Sequence, residues 1–485
     1  MSSSRARATV VLKFTAIALC GCLLAYTTGR PLGAQEAAAE AAVEEDSGAG
    51  LFTTASGEPL DKVLERIYLS GYARVRPEFT SDFGDFNSDL DDDFGFVSAR
   101  LRLGVGVDVI HNISFFVEGQ NNSFWGDFST GGNFDPTQED DFSLYQGFVE
   151  VRDIAGSKFA VKVGRQELVY GTELLLGDAD FGPGLSHDAV KVMYEGEVGQ
   201  VHAWWSRLVE GNVATFPLPA GSLPSPAGDN DADFFGIYGM CTPWENTDVD
   251  AYYLFLNDGV SGVNPFLLPA GSAAEDQIHT FGLRGSHALT DMIAFNAEAA
   301  YQLGDSLVGG VGGTELDVNA WAVETDVTLN LEKYAEGLKP SVKVGYAFAT
   351  GDADPTDGDS NAFRPLFQDN HPRLGLSDLL VLSNLHALSA TLTTQPHENV
   401  GVGVGFYSFW VDRTESAASS IPSPGTGTDN HLLGHEINLF VDLTYTEFLS
   451  AQFAWAHFIP GEFVGDSLGA LSDADRLYFH LVFSF

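Results

Sequence analysis

Four arginines stand at alternate positions in two neighbouring segments: Arg74 and Arg76, then Arg100 and Arg102. In an extended strand alternate side chains point to the same face, so each pair projects from one side of its strand. A turn centred near 87–89 would pair the two strands and set one pair of arginines against the other. The facing partners would be Arg74 with Arg102 and Arg76 with Arg100. Four guanidinium groups on one wall would suit carboxylates or phosphates, which a guanidinium binds through two parallel hydrogen bonds.

These arginines have a second possible role, which is to brace the wall through ion pairs. Glu118, Glu150 and Glu436 fall on the same projected face of other predicted strands. Opposite charges on neighbouring strands stabilise strand pairing modestly. The sequence leaves both roles open, because a solute-selecting stripe and structural ion pairs can coexist on one wall.

Other charged residues also project toward the arginine-bearing side when the alternation of each strand is extended. We expect the following residues to line the same interior: Lys162, Arg165, Lys191, Arg284, Lys343, Glu298 and Glu324. Arg165 belongs to this set only if a bulge turns it inward, since simple alternation projects it to the opposite face. The set mixes both signs, so selectivity would depend on which charges meet a passing solute.

An acidic run between 351 and 359, GDADPTDGD, places four aspartates among turn residues. Asp352, Asp354, Asp357 and Asp359 offer the hard oxygen ligands that Ca²⁺ prefers. The run lacks the full spacing of a calcium loop and its final glutamate, so a solvated acidic surface is the alternative. Calcium bound at such acidic loops is the only cofactor that the sequence suggests.

No set of residues predicts catalysis. His187-Asp188 and His435-Glu436 are sequence neighbours, but adjacent residues of a strand point to opposite faces. With 12 histidines and many serines, chance Ser/His/Asp combinations are inevitable, and none lies in a supporting local motif. We therefore expect that the protein is not an enzyme.

The final segment, 475–485, shows what kind of element positions these side chains. Leu477, Phe479 and Leu481 share one face with the later phenylalanines, while polar residues such as His480 take the other. This period of two predicts a strand. A chain that ends on an unprotected apolar strand invites aggregation, whereas a closed membrane barrel pairs its last strand with its first.

Further runs along the chain alternate in the same way, with an apolar face for lipid and a polar face for a lumen. The eighteen predicted strands are 67–79, 94–108, 113–121, 141–151, 158–167, 187–195, 199–208, 232–242, 248–257, 276–286, 292–302, 317–330, 339–349, 383–394, 400–412, 434–445, 449–459 and 475–485.

The connections between these strands alternate between short and long. Turns such as 109–112 and 287–291 are short, whereas 168–186 and 350–382 are long. This order predicts an all-β transmembrane antiparallel β-barrel of about 18 strands with short periplasmic turns and both termini periplasmic. We expect 168–186 or 350–382 to fold inward as a constriction, because 363–367 (FRPLF) is too apolar for a free surface loop.

Residues 1–34 have the basic start, apolar stretch and small residues of a secretory signal peptide. Residues 35–66 predict a flexible periplasmic lead-in, and 67–485 the barrel. After the signal no apolar run is long enough for a spanning helix, which needs about 18 residues. The expected location is the outer membrane of a bacterial-type cell.

The charge balance excludes one class of partner. The chain has 24 Lys and Arg against 67 Asp and Glu, a net charge of −43, which argues against nucleic acid. Only Cys241 lies beyond the predicted signal, so no disulfide framework is expected. The expected partners are outer-membrane lipid and a hydrophilic solute. Periplasmic partners in export or biosynthesis are possible, and the sequence does not identify them.

Three stretches carry a resemblance to a known family. They are 163–177 (VGRQELVYGTELLLG), 347–385 (AFATGDADPTDGDSNAFRPLFQDNHPRLGLSDLLVLSNL) and 434–439 (GHEINL), the last followed by a final strand that ends in phenylalanine. Together they resemble the alginate export family of outer-membrane proteins. The resemblance implies an 18-stranded barrel and a passive channel for an anionic polysaccharide through an arginine-lined lumen. This chain has fewer basic residues than an arginine-lined lumen would require, and its inward Glu298 and Glu324 would repel a polyuronate.

These observations predict an outer-membrane channel for passive passage of a hydrophilic solute, which could be an anionic oligosaccharide or polysaccharide such as alginate. One alternative is a general porin for small solutes. Another is a plugged barrel that acts in surface binding or envelope structure, with the acidic loops as its working part.

Overall fold

The computed structural model describes residues 64–485 except 84, 90–92, 127–141, 210–231, 259–275, 307–314, 372, 419–420, 422–423, 425–427 and 470. The predicted signal peptide and most of the predicted lead-in therefore lie outside the described residues, and both stay predictions. Among the described residues no helix is long and apolar enough to cross a lipid bilayer.

Alternating apolar and polar residues form strands along almost the whole described chain. The strands are β1 (Ile67–Ser81), β2 (Phe94–Ile110), β3 (Ile113–Gly126), β4 (Ser143–Val151), β5 (Phe159–Gln166), β6 (His187–Glu195), β7 (Gly199–Val209), β8 (Ala232–Trp244), β9 (Thr247–Asp258), β10 (Asp276–Thr290), β11 (Ile293–Ser306), β12 (Leu316–Asn330), β13 (Ser341–Ala349), β14 (Asp359–Ser360), β15 (Leu385–His397), β16 (Val400–Trp410), β17 (Leu432–Thr446), β18 (Leu449–Pro460) and β19 (Ala474–Ser484). The described residues also form two 3₁₀ turns, Ile154–Gly156 and Glu332–Tyr334, and one short helix, α1 (Glu462–Leu468).

The strands close into one antiparallel barrel. Each wall strand pairs with its neighbours along the chain, and β1 pairs with β19. The two-residue β14 pairs in parallel with β12, which leaves eighteen strands in the wall. Closure removes the free edge that would make the apolar last strand a liability, because β19 is paired on both sides.

The predicted eighteen-stranded barrel is confirmed, since every predicted strand overlaps one wall strand. The differences lie at the ends. The strand predicted over 113–121 continues to Gly126, and the one predicted over 292–302 continues to Ser306. The extra residues lie on the side of the long loops, where the barrel wall rises further than the apolar pattern indicates.

The wall has one face for lipid and one for the lumen. In β2 the apolar Leu101, Leu103 and Val105 are exposed on the outside, whereas Arg100 and Arg102 between them are buried on the inside. Exposed aliphatic and aromatic side chains suit a hydrocarbon environment, and inward polar residues suit an aqueous interior. The alternation thus assigns each side chain of the wall to lipid or to lumen.

Two long connections fold into the barrel. They are the β5–β6 loop (167–186) and the β13–β15 loop (350–384). These loops contain the two segments that were predicted as candidates for an inward constriction, and both lie inside. Their leucines and phenylalanines, such as Leu174, Leu175 and Phe363, are buried in one cluster with inward residues of the wall. This packing explains why the FRPLF segment is so apolar.

Candidate functional site

The four arginines of β1 and β2 lie together on the inner wall, in a register that differs from the predicted one. Thr80 pairs with Phe94, so Arg74 faces Arg100, and Arg76 faces Ser98. The predicted pairs were wrong because the hairpin is centred one residue earlier than the turn that was assumed. This moves each partner by two residues, which leaves every side chain on its predicted face. All four arginines are buried.

The β5–β6 loop supplies ligands to all four arginines. The carbonyl oxygen of Asp180 accepts hydrogen bonds from Arg74 at 2.6 Å and from Arg100 at 3.0 Å. The Asp180 carboxylate lies 2.5 Å from Arg100 and 3.0 Å from Arg102. Arg76 donates to the carbonyl oxygen of Phe181 at 2.7 Å. One loop segment therefore contacts all four arginines, and wall residues bind further donors, as when Glu78 accepts from Arg76 and Gln120 accepts from Arg102, both at 2.6 Å.

The predicted structural partners of the arginines were wrong. Glu150 pairs with Lys162 at 2.9 Å, and Glu436 accepts hydrogen bonds from the backbone and side chain of Ser377. Glu118 accepts from Gln146 at 3.3 Å. The arginines instead hold a loop against the wall, since the inward loop supplies oxygen atoms to them. The alternation of strand residues could not predict where this loop lies.

Asp180 is an ionised, partly accessible carboxylate. Burial raises its pKa, but the surrounding guanidinium groups, with Arg100 first, lower the pKa below its ordinary value overall. Its side chain retains 39 % of its accessible surface. A charged carboxylate therefore lies on the arginine cluster and stays partly open to the lumen.

A fifth arginine extends the cluster across the barrel closure. Arg476 of β19 binds Glu78 at 2.6 Å and Asp378 of the β13–β15 loop at 2.8 Å. Its guanidinium lies 5.0 Å from the centre of the Phe181 ring, over which Arg76 also lies, at 3.7 Å. Arg476 was not among the predicted lining residues, although the alternation of the last strand places it on the face of His480.

An aromatic wall lies on the adjoining strands β7, β8 and β9. Its members are Trp204, Tyr238 and Tyr252, all inward and buried. The rings of Tyr238 and Tyr252 stack with centroids 5.1 Å apart and planes 7° apart. Tyr170 of the β5–β6 loop stacks on both Trp204, at 5.1 Å, and Tyr238, at 4.6 Å. This wall was not predicted, because apolar and polar residues alternate poorly through β7 and β8.

Two further predicted lining residues lie beside the aromatic wall. Arg284 binds Asp250 at 2.9 Å, and Glu298 accepts a hydrogen bond from the Tyr252 hydroxyl at 2.7 Å. The hydroxyl of Thr172 donates to the other oxygen of Glu298, also at 2.7 Å. The polar groups at this site are thus joined to the same loop that covers the arginines.

The remaining predicted lining residues fall into two groups. Lys162, Lys191, Lys343 and Glu324 lie on the inner face, and Glu324 binds Arg373 of the β13–β15 loop at 2.9 Å. Arg165 does not line the interior: it shares the outer face of β5 with the exposed Val163 and binds Asp188 at 2.6 Å. No bulge reverses β5 before Arg165, so simple alternation holds there.

Three carboxylates meet where the two loops touch. Glu173 and Asp178 belong to the β5–β6 loop and Asp369 to the β13–β15 loop, and their oxygens lie within 4.8 Å of one another. Burial raises the pKa of Asp178 to about 8 and that of Glu173 to about 7, and mutual repulsion adds to both shifts. Burial likewise raises the pKa of Asp369.

Those three residues form the one acidic group that converges enough for a metal ion in the part of the chain that the structure describes. Asp352, Asp354, Asp357 and Asp359 do not converge. Their oxygens accept local bonds instead, as when Asp352 binds the backbone nitrogen of Asp354. Calcium binding by this run stays a prediction without a preformed ligand cage.

A family model described as alginate export matches residues 66–476. This chain belongs to the alginate export family. The match begins just before β1 and reaches into β19, so it covers nearly the whole barrel. The family resemblance predicted from three sequence stretches is confirmed. No curated protein sequence matches the chain.

Solved structures with the same fold include three from Pseudomonas aeruginosa. OpdQ matches with a TM-score of 0.54 at 12 % identity, over 86 % of this chain and 98 % of that one. OccK11 (OpdR) matches with 0.52 at 12 %, over 87 % and 96 %. The outer membrane protein OprD matches with 0.51 at 11 %, over 87 % and 93 %. At such identities the likeness shows the fold. Family and barrel together place this protein in the outer membrane as a channel.

Proposed function

We propose that this alginate export family member passes an acidic oligosaccharide or polysaccharide, such as alginate, by passive diffusion. The long loops would face the cell exterior and both termini the periplasm. The observation that carries the proposal is the arginine cluster of β1 and β2. All four guanidinium groups bind oxygen atoms of one inward loop, among them the Asp180 carboxylate, in addition to wall ligands such as Glu78 and Gln120. A uronate carboxylate offers the same oxygen chemistry.

The acidic residues of the lumen oppose this function less than their sequence positions indicate. Glu298 is bound by the hydroxyl groups of Tyr252 and Thr172. Glu324 is bound by Arg373. A carboxylate that is paired in this way repels a passing anion less than an unpaired one, because the nearby positive charge or donor offsets its field.

A plugged barrel that acts in surface binding or envelope structure is the second candidate. One observation favours it: the two inward loops share a buried apolar cluster with the wall. Apolar burial is worth about 25 cal/mol per Å², so loops packed in this way resist displacement. The two candidates differ in whether ions and sugars can pass the loops.

Conductance of the purified full-length protein in a planar bilayer tests the proposal. We expect discrete conductance steps that are blocked by uronate oligomers and that neutral oligosaccharides of equal length block much less. The control variant is Arg165→Ser, which removes an arginine from the outer face, where Arg165 binds Asp188. Arg100→Ser should weaken uronate block by about tenfold, the worth of one lost charge-assisted contact.

Two other outcomes would contradict the proposal, each in its own way. An absence of conductance steps would favour the plugged barrel. Conductance that uronate and neutral oligomers block equally would favour a general porin for small solutes.

A further inference from the structure

The β5–β6 loop presents two side chains of different chemistry to two different parts of the wall. Asp180 places a carboxylate on the arginine cluster, within 3.0 Å of two guanidinium groups. Tyr170, ten residues earlier in the same loop, places a ring against the aromatic wall of Trp204 and Tyr238. A carboxylate and a flat ring face are also the two chemical features of a uronic acid residue.

The aromatic wall has the geometry of a surface for stacking. Opposite Trp204 on β8 stands Gly236, and the indole lies against its backbone; Tyr252 lies against Gly282 in the same way. A side chain at either glycine would occupy the space of the ring. With glycine there, each ring has room to lie over the neighbouring strand, and Tyr170 stacks on the wall at Trp204 and Tyr238. An aromatic surface that accepts the ring of a loop residue also suits the C–H surface of a sugar ring, which is apolar.

The aromatic wall also holds hydrogen-bonding capacity that the protein leaves unused. The indole Nε1 of Trp204 is buried and has no hydrogen-bond partner among the described residues. His202 beside it binds the Tyr170 hydroxyl at 2.9 Å through Nδ1, while its Nε2 has no partner within the described part of the chain. Buried polar groups without partners are uncommon and costly. Sugar hydroxyl groups could satisfy both nitrogens.

We propose that Trp204, Tyr238 and Tyr252 form a sugar-stacking subsite, that the arginine cluster forms a carboxylate subsite, and that the β5–β6 loop is a tethered competitor for both. Tyr170 occupies the stacking subsite and Asp180 the carboxylate subsite until an acidic oligosaccharide displaces them. This inference rests on the proposed function, because it takes an acidic glycan as the solute.

Tethering predicts a dependence on oligomer length. A loop held beside its site acts at an effective concentration on the order of millimolar. A single sugar unit competes poorly against the loop. An oligomer that reaches both subsites binds more tightly, because its units are linked to one another. At each subsite the apparent affinity is the intrinsic affinity reduced by the fraction of molecules in which the competing side chain of the loop has left that subsite. Removing the competing side chain from one subsite should therefore tighten binding at that subsite.

Calorimetric titration of full-length protein in detergent tests the inference with two probes. One is a uronate hexamer, and the other is the same hexamer with its carboxyl groups reduced to alcohols. Asp180→Asn should raise the affinity for the uronate hexamer by about tenfold, since it removes one charged competitor. It should leave the reduced hexamer unchanged. Tyr170→Ala should tighten both hexamers by a similar factor, because stacking does not require a carboxylate.

Two control variants test whether these effects are specific to the charge of Asp180 and the ring of Tyr170. Asp188→Asn also neutralises an aspartate paired with an arginine, but on the outer face, and should bind both hexamers like the wild type. Tyr170→Phe keeps the competing ring and should not tighten binding as Tyr170→Ala does. Heat-modified gel mobility of each variant confirms that the barrel is folded.

The inference and the proposed function fail in different ways. Uronate binding by the wild type that Asp180→Asn and Tyr170→Ala leave unchanged or weaken would overturn the competitor alone. If no variant binds the uronate hexamer, both the competitor and the proposed function are wrong. Tightening of the reduced hexamer by Asp180→Asn would contradict the assignment of Asp180 to a carboxylate subsite.

Discussion

Packing of the two inward loops should weaken as the pH rises from 6 to 9. The reason is the contact between Glu173, Asp178 and Asp369, whose oxygens lie within 4.8 Å of one another. In the packed state the pKa of Asp178 is about 8 and that of Glu173 about 7. A released loop exposes them to water, where carboxyl groups titrate near pH 4. The packed state therefore holds protons that the released state gives up.

The sign and size of the effect follow from that difference in bound protons. A raised pKa favours the packed state at low pH, and the advantage is lost as the pH passes through 7 and 8. One proton of difference is worth about 1.4 kcal/mol for each pH unit. Between pH 6 and pH 8, Asp178 alone should weaken loop packing by about 2–3 kcal/mol. Repulsion from Asp180 acts in the same direction, and Arg373 opposes the shift of Glu173.

Single-channel recording from pH 6 to pH 9 measures this effect as open probability. We expect open probability to rise with pH in the wild type. Asp178→Asn cannot ionise at this position, so it should reduce the rise and leave the smaller part that comes from Glu173. The matched control is Asp357→Asn, in the exposed acidic run of the β13–β15 loop. A wild-type channel that opens equally at all pH values, or a rise that Asp178→Asn leaves undiminished, would refute the reasoning.

Three further predictions concern the wall, the second loop and the acidic run. Replacing the arginine cluster by serines should shift the reversal potential in a salt gradient toward cation selectivity. The replaced residues are Arg74, Arg76, Arg100 and Arg102. An unchanged reversal potential would show that the cluster does not determine selectivity. Glu436 is buried and accepts hydrogen bonds from Leu376 and Ser377, so Glu436→Leu should loosen the β13–β15 loop by about 2–3 kcal/mol and speed its cleavage by protease. Protease sensitivity equal to the wild type would count against this anchoring role. If the aspartates of 352–359 bind Ca²⁺, chelation should lower the melting temperature of the wild type and leave Asp352→Asn/Asp354→Asn unaffected.

The wall of the barrel could be predicted from the sequence because a strand in lipid leaves a strong pattern. Contact with lipid requires an apolar side chain at every second residue. This requirement acts on the local sequence, so it is visible in the spacing of Leu101 and Leu103. The two-residue shift at Arg74 and Arg100 shows the limit of this reasoning. Register depends on the turn, and the sequence between β1 and β2 carries no pattern that fixes the centre of the turn.

The contents of the lumen could be predicted only in part. Alternation placed Arg284, Glu298 and Lys191 on the inner face, where the structure has them. It did not show that Asp180 binds the arginines, because such a contact joins residues about 80 positions apart through a loop. Strand periodicity holds no information on where a loop folds. For that reason the aromatic wall and the tethered carboxylate emerged only from the three-dimensional arrangement.

Transport of labelled sugar out of proteoliposomes tests the central claim most directly. Vesicles with the full-length protein are loaded with a fluorescent uronate hexamer or with its carboxyl-reduced counterpart, and efflux is followed over time. The account predicts faster efflux of the uronate hexamer, an advantage that Arg100→Ser reduces and Arg165→Ser preserves. Equal efflux of the two hexamers, or none above protein-free vesicles, would contradict it.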